Sequence, residues 1–293
     1  MSAPSSGPPI IFDVARRQQR LARAVKLFPQ ADFLHRRAAE DAAHTLSAIL
    51  REFKSPVDLS PHSGLLAEAL IGTPAAERVG AIQSVGTIAE RAAPGSGFLP
   101  VEDQGADLII NLFGLHWAND LPGALSQIRR ALRPDGLFIA SLFGAATLKE
   151  LRGVLTEAEL EVTGGAQARI SPFTDGFDGA ALLQRAGFAL PVSDVDRVTV
   201  RYSSPFALMR DLRAMGETNV LAGPIRPLTR KVIARAAELY IDRHAEDDGR
   251  IPATFEMVHL AGWAPHESQQ KPAKRGSAQV SLADALSARS PER

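Results

Sequence analysis

Pro56-Val57-Asp58-Leu59-Ser60-Pro61-His62-Ser63-Gly64-Leu65 is the stretch that decides the fold. An apolar run of a few residues ends in an acid, passes through a turn rich in Ser, Pro and Gly, and opens at once into Leu65–Leu70, a helical pattern. Working outward, strand-like and helix-like segments alternate, which is the signature of a parallel sheet with crossover helices. A second strand is expected at Arg78–Gln83, a helix near Thr87–Ala92, a clear buried strand at Ala106–Leu112 and an amphipathic helix at Leu121–Leu132. Arg133-Pro134-Asp135-Gly136 has the chemistry of a turn, and Leu137–Leu142 is the next buried strand. Only about fifteen residues separate Gln83 from Leu99, so a further strand between them is expected to be short or missing.

Upstream, Phe12–Leu27 and Ala31–Phe53 carry apolar residues at helical spacing. Downstream come helices at Leu148–Val162 and Asp178–Ala186, a strand at Val195–Tyr202, helices at Phe206–Met215 and Arg230–His244, and a last strand at Ala253–Trp263. Two strands with helices between them fit a sheet closed by an antiparallel pair and covered by a helical cap. The organisation expected is therefore a loose 1–9, an N-terminal helical segment 10–54, a Rossmann-like α/β core 55–189, closing strands plus cap 190–264, and an extended tail 265–293. Within that tail, Ser281 has the position of a cap for one short helix.

The chain has 293 residues, 45% hydrophobic and 23% charged, enough for one sizeable core. Lysine plus arginine equals aspartate plus glutamate at 33 each, so no global field draws it to nucleic acid or an anionic membrane. Arg16, Arg17, Arg20, Arg23, Lys26, Arg36 and Arg37 nevertheless make the first forty residues basic. Two readings stand: a solvated helix face, or a surface for an acidic partner. No cysteine is present, which excludes disulfides, thiolate metal sites and cysteine nucleophiles. No apolar run reaches the ~18 residues of a membrane helix, and no metal-ligand spacing stands out.

Ligands of open α/β sheets bind at the carboxyl ends of the strands, where strand order reverses. Asp58-Leu59 resembles the opening of the methyltransferase pattern D-L-G-x-G-x-G, the loop that holds S-adenosylmethionine (SAM). Only Gly64, the last of its three glycines, is kept. Ser60 is pushed toward extended backbone by the following proline. Pro61 removes a donor, and His62 puts a ring where a cofactor needs space. Gln83 stands where an acid commonly grips the ribose, and no acid adjoins Gly95, where the adenine amino group is often met. Lost charge-assisted hydrogen bonds and strained turn geometry together cost about 3–5 kcal/mol, two to four decades of affinity. The positional cofactor residues are Asp58, Ser60, His62, Gly64, Gln83 and Asn111, and SAM binding is expected to be weak or lost.

Asn111-Leu112-Phe113-Gly114-Leu115-His116-Trp117-Ala118-Asn119-Asp120 leaves a strand at the same edge. His116 and Trp117 are the catalytic candidates, with His116 read either as a packed scaffold residue or as an acid–base group. Asn119 is expected to cap the next helix.

The chain resembles the complex I assembly factor five family and, more distantly, the biotin-pathway methyltransferase of malonyl-carrier protein. The resemblance rests on Ile11-Phe12-Asp13, the run Leu115–Pro122, Leu132–Gly136, Ile170-Ser171-Pro172-Phe173, Leu183–Phe188, Asp211–Glu217 and His266–Ser277. It implies a class I SAM-methyltransferase fold, work on a protein partner such as a respiratory complex I subunit, and hydroxylation of an arginine on that subunit. It implies a location in the bacterial cytoplasm or the mitochondrial matrix, peripheral to the membrane through a partner. The acid-poor N-terminal stretch has some transit-peptide character, but Asp13 and the resemblance assign it to the mature protein. The departures at Ser60, His62 and Gln83 leave two alternatives: a catalytically dead pseudo-methyltransferase serving as an assembly module, or an active methyltransferase on a small molecule or carrier protein.

Overall fold

The computed structural model describes residues 10–86, 99, 101–173, 179–270 and 281. The expected helix near Thr87–Ala92, the stretch around Gly95 and nearly all of the tail beyond Gln270 lie outside these. In chain order the elements are α1 (Val14–Ala24), α2 (Phe33–Ser47), β1 (Pro56–Asp58), α3 (Leu65–Leu70), β2 (Gln83–Ser84) and β3 (Ala106–Leu112). There follow α4 (Leu121–Ala131), β4 (Leu132–Phe143), α5 (Lys149–Thr163), α6 (Gly179–Arg185), β5 (Ala189–Tyr202), α7 (Pro205–Met215), α8 (Arg230–His244) and β6 (Ile251–Trp263).

The strands form one six-stranded sheet in the order β2-β1-β3-β4-β6-β5. β2, β1, β3 and β4 run parallel, and β6 is antiparallel to both β4 and β5. From β1 the chain moves one way to β2, then returns to β3 and continues the other way. The strand order thus reverses at β1 and β3, whose carboxyl ends frame the crevice an α/β sheet offers to a ligand. The Rossmann-like methyltransferase arrangement expected from the sequence is present, with α7 and α8 inserted between the two closing strands as its cap.

β3 shows why its apolar run is continuous. All seven residues are buried; Leu108, Ile110 and Leu112 join one core, while Ala106 and Ile109 join the core on the opposite face. A strand covered on both sides has no polar face to alternate with. The first core also takes Leu34, Ala38 and Leu46 of α2 and Leu151 and Val154 of α5. The second takes Leu125 and Ile128 of α4 and Leu183 of α6.

Boundaries differ from the sequence reading where side chains outside the pattern decide them. β2 is only Gln83–Ser84, pairing with Val57 and Asp58. α2 stops at Ser47, because Ile49–Phe53 leads into a bridge between Phe53 and Val79. β5 begins at Ala189, ahead of the expected Val195, since its outer residues need only the ladder to β6. Asn119 does not cap α4: Asp120 accepts the Gly123 N–H in that role.

Candidate functional site

The turn after β1 is built inward. Ser60 is 3% exposed. Its N–H donates to Asp58 Oδ1 at 2.8 Å, and its hydroxyl accepts the Leu112 N–H of β3 at 2.8 Å. Asn111, fully buried, donates through Nδ2 to the Leu59 carbonyl at 2.8 Å. Its Oδ1 accepts from the Gly114 and Leu115 N–H groups at 3.0 and 2.9 Å. The side chain of Asn111 thereby joins the two strand ends. Burial pushes the Asp58 carboxyl up, against hydrogen bonds from Ser60 and Gly64 that favour its charge. Gly64 has φ +97° and starts α3, and a Cβ there would touch nothing. The backbone angle, not crowding, is what requires glycine.

His62 fills the space above the turn. Its ring lies face to face on Phe28, with centroids 3.5 Å apart and 8° between planes, and meets His35 edge-on at 5.3 Å. Its Nε2 lies 3.3 Å from the Met215 carbonyl, to which it donates. Burial lowers its basicity. Gln83 is exposed and sits opposite Val57, so Ser84, not Gln83, is the residue level with Asp58.

The second cluster surrounds Glu217, which the sequence reading did not single out. Its Oε1 receives Arg17 at 2.9 Å. Its Oε2 receives the Trp117 indole N–H at 3.0 Å and His116 Nε2 at 3.1 Å. The Arg17 guanidinium also lies 4.8 Å from the Trp117 ring centroid. Burial disfavours the Glu217 charge, but Arg17 and His116 outweigh it and hold the carboxyl at about 2. Burial lowers the basicity of His116 despite that neighbour. A neutral ring donating from Nε2 leaves its Nδ1 lone pair unpartnered. Phe143 and Phe173 flank it at 5.2 and 5.6 Å. His35 is more extreme: burial, then the His62 charge, lowers it to about 3, and neither ring nitrogen has a partner among the described residues.

Local geometry explains why Glu217 is there. α7 ends at Gly216 with φ +79°, and a Cβ at that position would come within 3.2 Å of Leu21 and 3.3 Å of Ala24. Glycine therefore permits both the left-handed turn and the close approach of α1, which brings Arg17 to the next residue. Asn119 completes the clamp: its Oδ1 accepts the N–H groups of Ile11 and Phe12, each at 2.7 Å, and its Nδ2 donates to the Phe12 carbonyl at 3.0 Å. Phe12 then meets Trp117 edge-on at 5.2 Å.

The basic N-terminal stretch is thus not one surface. Arg17 is buried, Arg16 joins Asp13, Arg36 joins Asp32 and Glu68, and Arg37 joins Asp196. A cavity of about 610 Å³ opens between α5, α7, α8 and the segments 169–173 and 217–228, with Trp117 and Glu217 in its wall. Of the catalytic and cofactor candidates chosen from sequence, Trp117 alone lines it, joined by Arg16 and Arg20 of the basic N-terminal stretch. His116 stands behind Trp117, and Asp58, Ser60, His62, Gly64, Gln83 and Asn111 are not among the cavity's lining residues. Glu217 closes the Asp211–Glu217 run that the resemblance rests on, but its partners arrive from 100 and 200 positions away and leave no local trace.

Comparison with known proteins finds relatives along most of the chain. A family model described as a methyltransferase domain matches residues 58–140. "Arginine-hydroxylase NDUFAF5, mitochondrial" of Mus musculus is 38% identical over 290 residues, covering 94% of this chain and 83% of that protein. The protein of the same name from Danio rerio is 46% identical over 187 residues, covering 64% of this chain and 58% of its own length. A "Malonyl-[acyl-carrier protein] O-methyltransferase" of Halorhodospira halophila is 35% identical, covering 63% of this chain and 61% of that protein. Among solved structures, a putative methyltransferase from Bacillus halodurans superposes with a TM-score of 0.49 at 14% identity, covering 78% of this chain and 99% of that one.

Proposed function

The chain belongs to the family of the mitochondrial arginine-hydroxylase NDUFAF5, and from that membership we propose that it acts on a protein partner, a subunit of respiratory complex I, while holding SAM weakly or not at all. The observation that carries the cofactor half is the His62–Phe28 stack over the turn leaving β1. Two rings in van der Waals contact leave no gap for an adenosyl or methionyl group. Ser60 has turned its hydroxyl to β3, and the strand-two end offers Gln83 or Ser84 where a ribose would seek a carboxylate. The residues present do not fit the cofactor in its usual pose, and no chemical step is assigned to it here. SAM and S-adenosylhomocysteine titrated calorimetrically should give no saturable heat in the low micromolar range. Saturation there would overturn this half.

The partner half rests on family membership. It carries with it a place in the mitochondrial matrix or, for a bacterial protein, the cytoplasm, beside the membrane rather than across it. No helix among the described residues is long and apolar enough to cross a membrane. The intact chain should retain a complex I subunit that mass spectrometry identifies, and a chain cut after Pro265 should retain less of it. Failure to retain any complex I subunit would sink this half. Gain of one oxygen on an arginine of the retained subunit identifies a modifying enzyme. Retention without that gain identifies a pseudo-methyltransferase serving assembly, the reading favoured by the closed turn.

A further inference from the structure

The 610 Å³ cavity beneath the cap has a charge pattern that the family reading leaves unused. Its walls are mainly aliphatic and aromatic, with Leu151, Leu155, Phe173, Met209, Leu212 and Ile233 among them. Its volume lies in the range of small-molecule sites. Four arginines also line it, and their commitments differ. Arg16 is engaged with Asp13 and the carbonyls of Leu221 and Gly223. Arg169 is engaged with Glu159 and the Arg226 carbonyl. Arg20 and Arg213 form no ion pair with any described residue. Glu217, the one acid in the wall, is already neutralised by Arg17.

Arg20 Nε, Ser171 Oγ and Thr218 Oγ1 are buried and have no partner among the described residues, and Ser171 is only 3% exposed as a residue. Two cations without an ion pair thus line a mainly apolar chamber, while these three unpartnered atoms have no surface open to it. An anion with an apolar body suits this wall: its head would take guanidinium protons of Arg20 and Arg213, and its body would cover the apolar side chains. A guanidinium or ammonium guest would instead meet two unpaired positive charges.

We infer that this cavity binds an amphipathic anion, an aliphatic chain ending in a carboxylate or phosphate, with Arg20 and Arg213 as head-group residues. Anion capture here needs neither a complex I subunit nor an adenosyl group. The side chain of a partner arginine, by the same electrostatics, is excluded from this chamber and must be met elsewhere on the protein.

The test uses the full chain, with Trp117 in the cavity wall as fluorescent reporter and calorimetry as the second readout. The probes are hexanoate, octanoate, decanoate, decyl phosphate, decanol, decylamine and an arginine-containing peptide. Decanoate or decyl phosphate should bind at least roughly tenfold tighter than decanol, the worth of a charge-assisted hydrogen bond. Each pair of added methylenes should gain roughly tenfold. Whichever head binds tighter names the physiological one. Arg213→Met, at the exposed mouth, and Arg20→Met should each shrink the carboxylate-over-alcohol preference and keep the chain-length dependence. Unchanged thermal midpoints for Arg213→Met keep the comparison valid if Arg20→Met folds poorly. Equal binding of decanol and decanoate, preference for decylamine, displacement of decanoate by the arginine peptide, or no saturable binding by any probe would each overturn the inference.

Discussion

The guanidinium of Arg17 and the carboxylate of Glu217 meet at 2.9 Å with both side chains 4% exposed, joining α1 to the end of α7 across 200 positions of sequence. Such a pair is weak evidence of net stabilisation, because both charges lose their water. Breaking it is another matter. Glu217→Gln leaves Arg17 buried and unpaired, and should cost about 3–5 kcal/mol at neutral pH by chemical denaturation. Arg17→Met should cost a similar amount, and the double variant much less than the sum. Additive losses would show that the two residues do not act as a pair. The sign with pH is fixed by the depressed Glu217 carboxyl. Its contribution is full above its ordinary value of 4.5 and is lost as pH falls toward about 2, so the gap between wild type and Glu217→Gln should narrow through that window.

His35 gives a second pH dependence. Burial holds the folded ring at about 3 against an ordinary 6.5. Below 6.5 the unfolded chain takes up a proton that the folded one refuses, so stability is present above 6.5 and falls as pH drops toward 3. One such group contributes a slope of up to about 1.4 kcal/mol per pH unit. His62 and His116 are lowered in the same sense. His35→Leu should remove one proton's worth of slope between pH 6 and about 4, where linkage governs, and should cost little at pH 7, since neither ring nitrogen is paired. An unchanged slope would mean that the ring is not held neutral.

The staple at Asn119 is separable from helix capping. Asn119→Ala removes three hydrogen bonds to residues 11 and 12, which at about 1 kcal/mol each is a loss of roughly 2–3 kcal/mol. Asp120→Ala, which removes the true cap of α4, should cost about 1 kcal/mol. Amide exchange tells them apart: Ile11 and Phe12 should lose protection in the first variant only. Equal protection in both would reassign the staple.

These cases show what a one-dimensional reading can hold. Leu65–Leu70, Ala106–Leu112 and Arg230–His244 are marked end to end by local periodicity and flanking breakers, and the structure has them at those limits. The parallel α/β architecture followed from alternation, and its methyltransferase variety from the resemblance. Asn119 and Asp120 are adjacent and chemically alike as caps, so nothing local says that one of them is spent on Phe12. Arg17 looks like its solvated neighbours because the close approach that buries it depends on Gly216, far along the chain. His62 was legible as an obstruction, yet its stacking partner Phe28 was not, since ring pairs leave no periodic trace. Asn111 was placed at the correct strand end but with its amide facing a cofactor. Its three hydrogen bonds run to backbone instead.

The turn after β1 can be tested by reversal. Ser60→Gly, His62→Gly and Gln83→Asp together restore the glycine spacing and the strand-two acid. The variant should be less stable than wild type, because the Leu112 N–H loses its acceptor, at about 1–3 kcal/mol, and Phe28 loses its stacked ring, at roughly 0.5–1.5 kcal/mol beyond buried area. Its affinity for SAM should nonetheless rise by two to four decades, the inverse of the about 3–5 kcal/mol assigned to erosion. Because Ser84 is the residue level with Asp58, a parallel variant with Ser84→Asp in place of Gln83→Asp decides which position faces the ribose. Calorimetry on both, beside Ser60→Gly alone and Ser60→Gly combined with His62→Gly, separates the three contributions. A stable, folded triple variant that still ignores SAM, in either version, would show that crowding at this turn is not what weakens the cofactor's hold.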